Sequence, residues 1–61
     1  METLVVFASD LAWRAGYFPK EFIYQGQLFR QREFRYDDAE GDLLWVEYVS
    51  TAERVLRVFN D

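Results

Sequence analysis

The sequence predicts an α+β domain: an N-terminal helix packed on a small antiparallel sheet, the sheet being a meander of three to four strands. Three observations predict it. Leu4, Phe7, Ala8, Leu11, Ala12 and Ala15 recur at spacings of three and four, which is one face of a helix. Beyond Pro19 the chain changes to short runs of β-branched and aromatic residues. Turn formers separate those runs, at Gln25-Gly26 and in the acidic stretch 37–42. A chain of 61 residues has room for one domain, spanning 1–61.

In the first segment Thr3 can cap a helix, and Gly16 stands where a helix C′ residue belongs. Val5 and Val6 favour a competing arrangement, a strand over 4–8 with a short helix from Ser9. The single helix is preferred. Tyr17 and Phe18 then leave it, and Pro19 forbids its continuation.

Phe22-Ile23-Tyr24 is a short β-prone run, and Gln25-Gly26 is a tight turn. Residues 28–36 form a longer strand, and 43–49 the clearest one. The last segment reads two ways. Ser50-Thr51-Ala52-Glu53 has the form of a capping box, followed by Val55, Leu56 and Phe59 at helical spacing. But residues 55–59 are strongly β-prone, and 51–53 can serve as a hairpin loop. The short connection to the preceding strand favours a strand.

Strict alternation assigns strand faces. Leu43, Trp45, Glu47 and Val49 would share one face, opposite Leu44, Val46, Tyr48 and Ser50. Leu28, Arg30, Arg32, Phe34 and Tyr36 would share another, opposite Phe29, Gln31, Glu33 and Arg35. Neither face is simply wet or dry. One helix covers one side of such a sheet, so the other side is expected to expose rings unless residues 17–22 fold back over it.

Composition narrows the function classes. One residue in five is aromatic, and there is neither histidine nor cysteine. Disulfides are excluded, and zinc lacks its usual ligands. Catalysis has no imidazole base and no thiol nucleophile to draw on, so no enzyme and no cofactor is expected. The longest apolar run, residues 4–8, is far too short to span a membrane, and no signal peptide precedes it. A cytoplasmic protein, complete in one short reading frame, is the expectation.

The formal charge of −4 is uneven. Residues 1–36 carry five cations and four anions, and residues 37–61 carry two cations and seven anions. This acidity opposes phosphate-dominated nucleic-acid binding and favours a protein partner with a basic surface.

Three constellations stand out. Arg30, Arg32 and Arg35 alternate with Phe29, Phe34 and Tyr36, a pattern used to bind single strands. A solvated strand paired with acids is the plainer explanation, and nucleic acid is not the expected partner. Asp37, Asp38, Glu40 and Asp42 cluster in one turn. Counted from Asp38, an EF-hand loop would need glycine where Leu43 stands and glutamate where Val49 stands, so this is a charged hairpin turn, free to meet cations on a partner. Trp45 and Tyr48 are the candidate ring anchors, on opposite faces of one strand, so one belongs to a binding patch and the other to the core.

The expected function is a small acidic protein-binding module. It would inhibit a larger host protein by occluding a site that binds nucleic acid. Size, acidity and lack of motifs are those of inhibitors encoded by phages and mobile elements, such as anti-CRISPR proteins. This is a likeness of character and not of any residue. The alternatives are a self-associating homodimeric module and a single-strand binder using Arg30, Arg32 and Arg35.

Overall fold

A computed structural model of the chain describes residues 3–61. Five strands form one sheet: β1 (Thr3–Phe7), β2 (Glu21–Tyr24), β3 (Gln27–Tyr36), β4 (Leu43–Ser50) and β5 (Val55–Phe59). Their spatial order is β1-β5-β4-β3-β2. Strands β2 to β5 are an antiparallel meander, and β1 adds to β5 in parallel. The sheet curls into a half-barrel.

The predicted N-terminal helix does not form, and the α+β assignment is replaced by a nearly all-sheet domain. Thr3 begins a strand instead of capping a helix, and only a single 3-10 turn, Ala8–Leu11, follows β1. Ala12 then takes a left-handed conformation (φ 58°), which ends any helical path. The physical reason lies in two competing periods. Leu4 and Val6 pack toward the core while Val5 and Phe7 face away, a period of two that β-branched residues favour. Pairing with β5 satisfies one side of the backbone of these five residues and packs Leu4 and Val6 on the core, which a lone helix turn cannot match. The competing strand over 4–8 is close to what occurs.

The hairpins follow from turn chemistry. Gln25 and Gly26 both have positive φ (50° and 77°), as in a type I′ turn, and join β2 to β3 with Tyr24 opposite Gln27. Residues 51–53 close the β4–β5 hairpin, which settles the last segment as a strand. Glu53 N–H donates to the Ser50 carbonyl at 2.9 Å, and Arg54 N–H to Ser50 Oγ at 3.2 Å. Glu53 carries the left-handed conformation (φ 63°) that such three-residue loops need at their last position.

Two bulges interrupt the β3–β4 ladder, one between Gln31 and Glu33 and one between Arg35 and Tyr36. They correct the face assignments that strict alternation predicts. An extra residue at Arg32 shifts the rest of β3 by one, so Phe34 pairs with buried Val46 and Arg35 with Trp45. The skipped Leu44 returns Leu43 to the inner face, where it packs on the core opposite Tyr36. The bulges sort the strands: Phe29, Gln31, Phe34 and Tyr36 lie inward, and Arg30, Arg32, Glu33 and Arg35 outward.

The core fills the inner, concave face with Phe29, Val46, Tyr48, Leu56 and Val58, all fully buried. Its cover is not a helix but the crossover 8–20, which runs from the β1 edge to the β2 edge. Ala8, Leu11, Trp13 and Phe18 pack down from it. Trp13 meets Phe22 edge-on at 4.8 Å, Phe18 at 5.8 Å and Tyr48 at 6.0 Å. The Tyr48 hydroxyl donates to the Pro19 carbonyl at 2.6 Å, and Gln31 N–H donates to the Lys20 carbonyl at 2.8 Å. No helix among the described residues is long and apolar enough to cross a membrane.

Candidate functional site

None of the described residues forms a layer over the outer face of the sheet. Strand register builds it in rows. Phe7 pairs with Phe59, Phe59 with Trp45, and Trp45 with Arg35. The ring centroids lie 6.0 Å apart for Phe7–Phe59 and 5.3 Å for Phe59–Trp45. Three strands thus contribute one continuous aromatic row. It ends under two guanidinium groups, Arg57 at 5.0 Å and Arg35 at 5.9 Å from the Trp45 centroid. Phe7 is 48% exposed, and Val5, in the next row, 57%.

That next row holds Val5, Arg57, Glu47 and Glu33. Glu47 is only 5% exposed although it lies on the outer face. Two arginines roof it. Arg57 Nε donates to Oε1 at 3.2 Å, and Arg32 Nε donates to Oε2 at 3.0 Å with a second, closer contact through Nη2. The hydrogen bond from Arg32, reinforced by Arg57, holds the Glu47 carboxyl below the usual carboxylate range. The bulge at Arg32 accompanies this clamp: the extra residue lies beside the Glu33–Glu47 pair, and its guanidinium reaches Glu47. A further row pairs Arg30 with Glu21 at 3.2 Å across the surface.

The face therefore carries four arginines (30, 32, 35, 57) against three glutamates (21, 33, 47). Most of the acids lie elsewhere. The C-terminal ends of β1, β3 and β5 and the start of β4 meet at one end of the sheet. That end gathers Asp10, Asp37, Asp38, Glu40, Asp42 and Asp61 beside the aromatic row. Asp37 structures its own loop: its Oδ1 accepts from Ala39 N–H at 2.8 Å and its carbonyl from Gly41 N–H at 2.7 Å. Asp38, Glu40 and Asp42 are exposed. Asp61 accepts from Ser9 N–H at 3.0 Å and from the Ser9 hydroxyl, bonds that hold its carboxyl below its ordinary value and fasten the chain end to the 3-10 turn.

The residues singled out from sequence thus separate. Trp45 lies on the outer face, in the row that ends at the acidic end. Tyr48 is fully buried beneath the crossover, where burial pushes its hydroxyl up to about 12, and it offers no surface. Asp38, Glu40 and Asp42 share the hairpin tip with Asp37. Arg30, Arg32 and Arg35 do share the outer face, but without Phe29, which alternation already places inward, and without Phe34 and Tyr36, which the bulges turn inward. Phe7 and Phe59 complete the row and were not singled out. The signal for them was non-local, since only parallel pairing of the two chain ends makes them neighbours.

Fold and face together define a small curled-sheet domain, closed on one side by its own crossover and open on the other. A scan against protein-family models and searches of curated proteins and of solved structures returned no match.

Proposed function

We propose that the chain is a protein-binding module that docks through its aromatic row and the adjoining acidic end of the sheet onto a larger protein with a basic surface. The observation that carries this reading is the row Phe7–Phe59–Trp45 lying beside six carboxylates at one end of the sheet. Half-exposed rings on a rigid sheet supply desolvated contact area at low entropic cost. Neighbouring acids steer a cationic partner and set the docking orientation. A groove built for nucleic acid presents cations to phosphates spaced along a strand, and the carboxylates at 37, 38, 40 and 42 can occupy such a groove. Inhibition by occlusion is the activity this implies.

The test is capture of a stoichiometric partner from host lysate, followed by binding kinetics. Trp45→Ala and Phe59→Ala should weaken the complex by tenfold or more, roughly 1.4 kcal/mol each. Replacing Asp38, Glu40 and Asp42 by lysine should slow association, by a factor that shrinks as salt rises. The captured protein should lose nucleic-acid binding in the complex. An association rate indifferent to those charges removes the acidic end from the reading.

Single-strand binding by Arg30, Arg32 and Arg35 is less favoured, because Arg30 is engaged by Glu21 and Arg32 by Glu47. Measurable binding of an oligonucleotide at low salt would revive it.

A further inference from the structure

An open sheet has two edges, and each presents unpaired N–H and C=O groups that another strand can complete. The edges of this sheet differ. At the β2 edge Pro19 removes a donor, and Lys20 and Glu21 place charges beside a strand of only four residues. Among the described residues the β1 edge has no such guard. Thr3–Phe7 contains no charge and no proline, and its five residues pair with β5 in unbroken register.

We propose that two copies of the chain associate through β1, edge to edge and antiparallel about a two-fold axis centred at Val5. The side chains of β1 are self-complementary in this register. Val5 faces Val5 of the second copy, Thr3 faces Phe7, and Leu4 faces Val6. Every cross-strand pair is thus uncharged, and β-branched or aromatic residues take part in each. Alternation is preserved across the junction, so Leu4 and Val6 extend the inner face while Thr3, Val5 and Phe7 extend the outer. A chain of formal charge −4 repels its copy elsewhere on its surface, and β1 is an uncharged stretch where two copies can approach. The contact is isologous, so it closes at two copies and joins the two sheets into one of ten strands. It leaves Trp45 and Phe59 outside the contact but takes in Phe7, the outermost ring of the docking row, so the two contacts adjoin at that residue.

A pairing of five residues is small and makes a weak dimer. Sedimentation of the full chain from about 10 μM to about 1 mM, a range suited to such affinities, should show a monomer–dimer equilibrium and no larger species. Amide exchange followed over the same range should show β1 amides directed away from β5 gaining protection with concentration, while β2 amides do not. Val5→Lys sets two lysines opposite each other and should raise the dissociation constant at least tenfold, or about 1.4 kcal/mol. Trp45→Ala should leave it unchanged. A monomer throughout overturns the proposal. So does a dimer whose β1 amides exchange as in the monomer, which would place the contact on a face. Open-ended growth would mean β1 meeting the β2 edge of the next copy and overturns it too. The amide measurement needs only the wild-type chain, so it decides the matter even where the Val5 variant folds poorly.

Discussion

Two buried titratable side chains set opposite pH limits on the fold. Glu47 is held ionised by Arg32 and Arg57, so its folded pKa lies below its ordinary value of 4.5. Its contribution is complete above that value and is lost as pH falls through the lower, folded one. The melting temperature should therefore drop on acidification below about pH 4.5, and Glu47→Gln should flatten that limb. At neutral pH the same substitution should cost about 1–2 kcal/mol, the partners being half-exposed and screened. Tyr48 works in the other direction. Burial raises its pKa from 10 to about 12, so its neutral form is favoured in the fold. That stability is complete below pH 10 and disappears as pH climbs through about 12. Thermal melts between these values should show the decline. Tyr48→Phe should lose about 1 kcal/mol with the Pro19 hydrogen bond but melt with a weaker alkaline dependence.

Among the elements, the hairpins are nearest to what the sequence states. Gln25-Gly26 reads as a tight turn and forms one, and residues 51–53 serve as the short loop they resemble. Three non-glycine residues sit in left-handed backbone, Ala12, Gln25 and Glu53, and the last (φ 63°) closes the β4–β5 hairpin. Glu53→Gly should stabilise the domain by about 0.5–1 kcal/mol, because the relief at positive φ outweighs the added freedom of the unfolded chain. Denaturant titration at constant m-value checks it, and a loss of stability would mean that the Glu53 side chain contributes more than its backbone costs. The bulges of β3 and β4 are a different matter. Nothing in Gln31-Arg32-Glu33 marks an insertion. It arises because straight alternation would point Glu33 and Arg35 to the inner face and Phe34 to the outer, and one extra residue reverses those directions, leaving Phe34 half-exposed at the inner face's rim.

For the molecule as a whole, the crossover 8–20 replaces the predicted helix as the cover of the core. It makes few backbone hydrogen bonds of its own and is held by side chains, chiefly Trp13 among Phe18, Phe22 and Tyr48. Trp13→Ala should therefore cost about 3–5 kcal/mol, much of the stability of so small a domain. Urea unfolding and dye binding should show a loosened core with the sheet retained at low temperature. If the variant melts like the wild type, the crossover is not what closes the inner face.

The sequence by itself determined the meander β2 to β5, the turns between its strands, the lack of thiol and imidazole chemistry, and the separation of acidic from basic segments. These are local properties, set by turn geometry, β propensity and composition. It also indicated Trp45 and the acidic turn as neighbours along the chain. Only the tertiary structure decided that the N-terminal segment is a strand, since helical and extended spacing both fit residues 3–8 and the partner strand β5 lies some fifty residues away. It decided which face is wet, because two bulges override alternation, and it joined Phe7 to Phe59. Contacts between chain ends depend on packing the whole sheet, and no short stretch of residues carries that information.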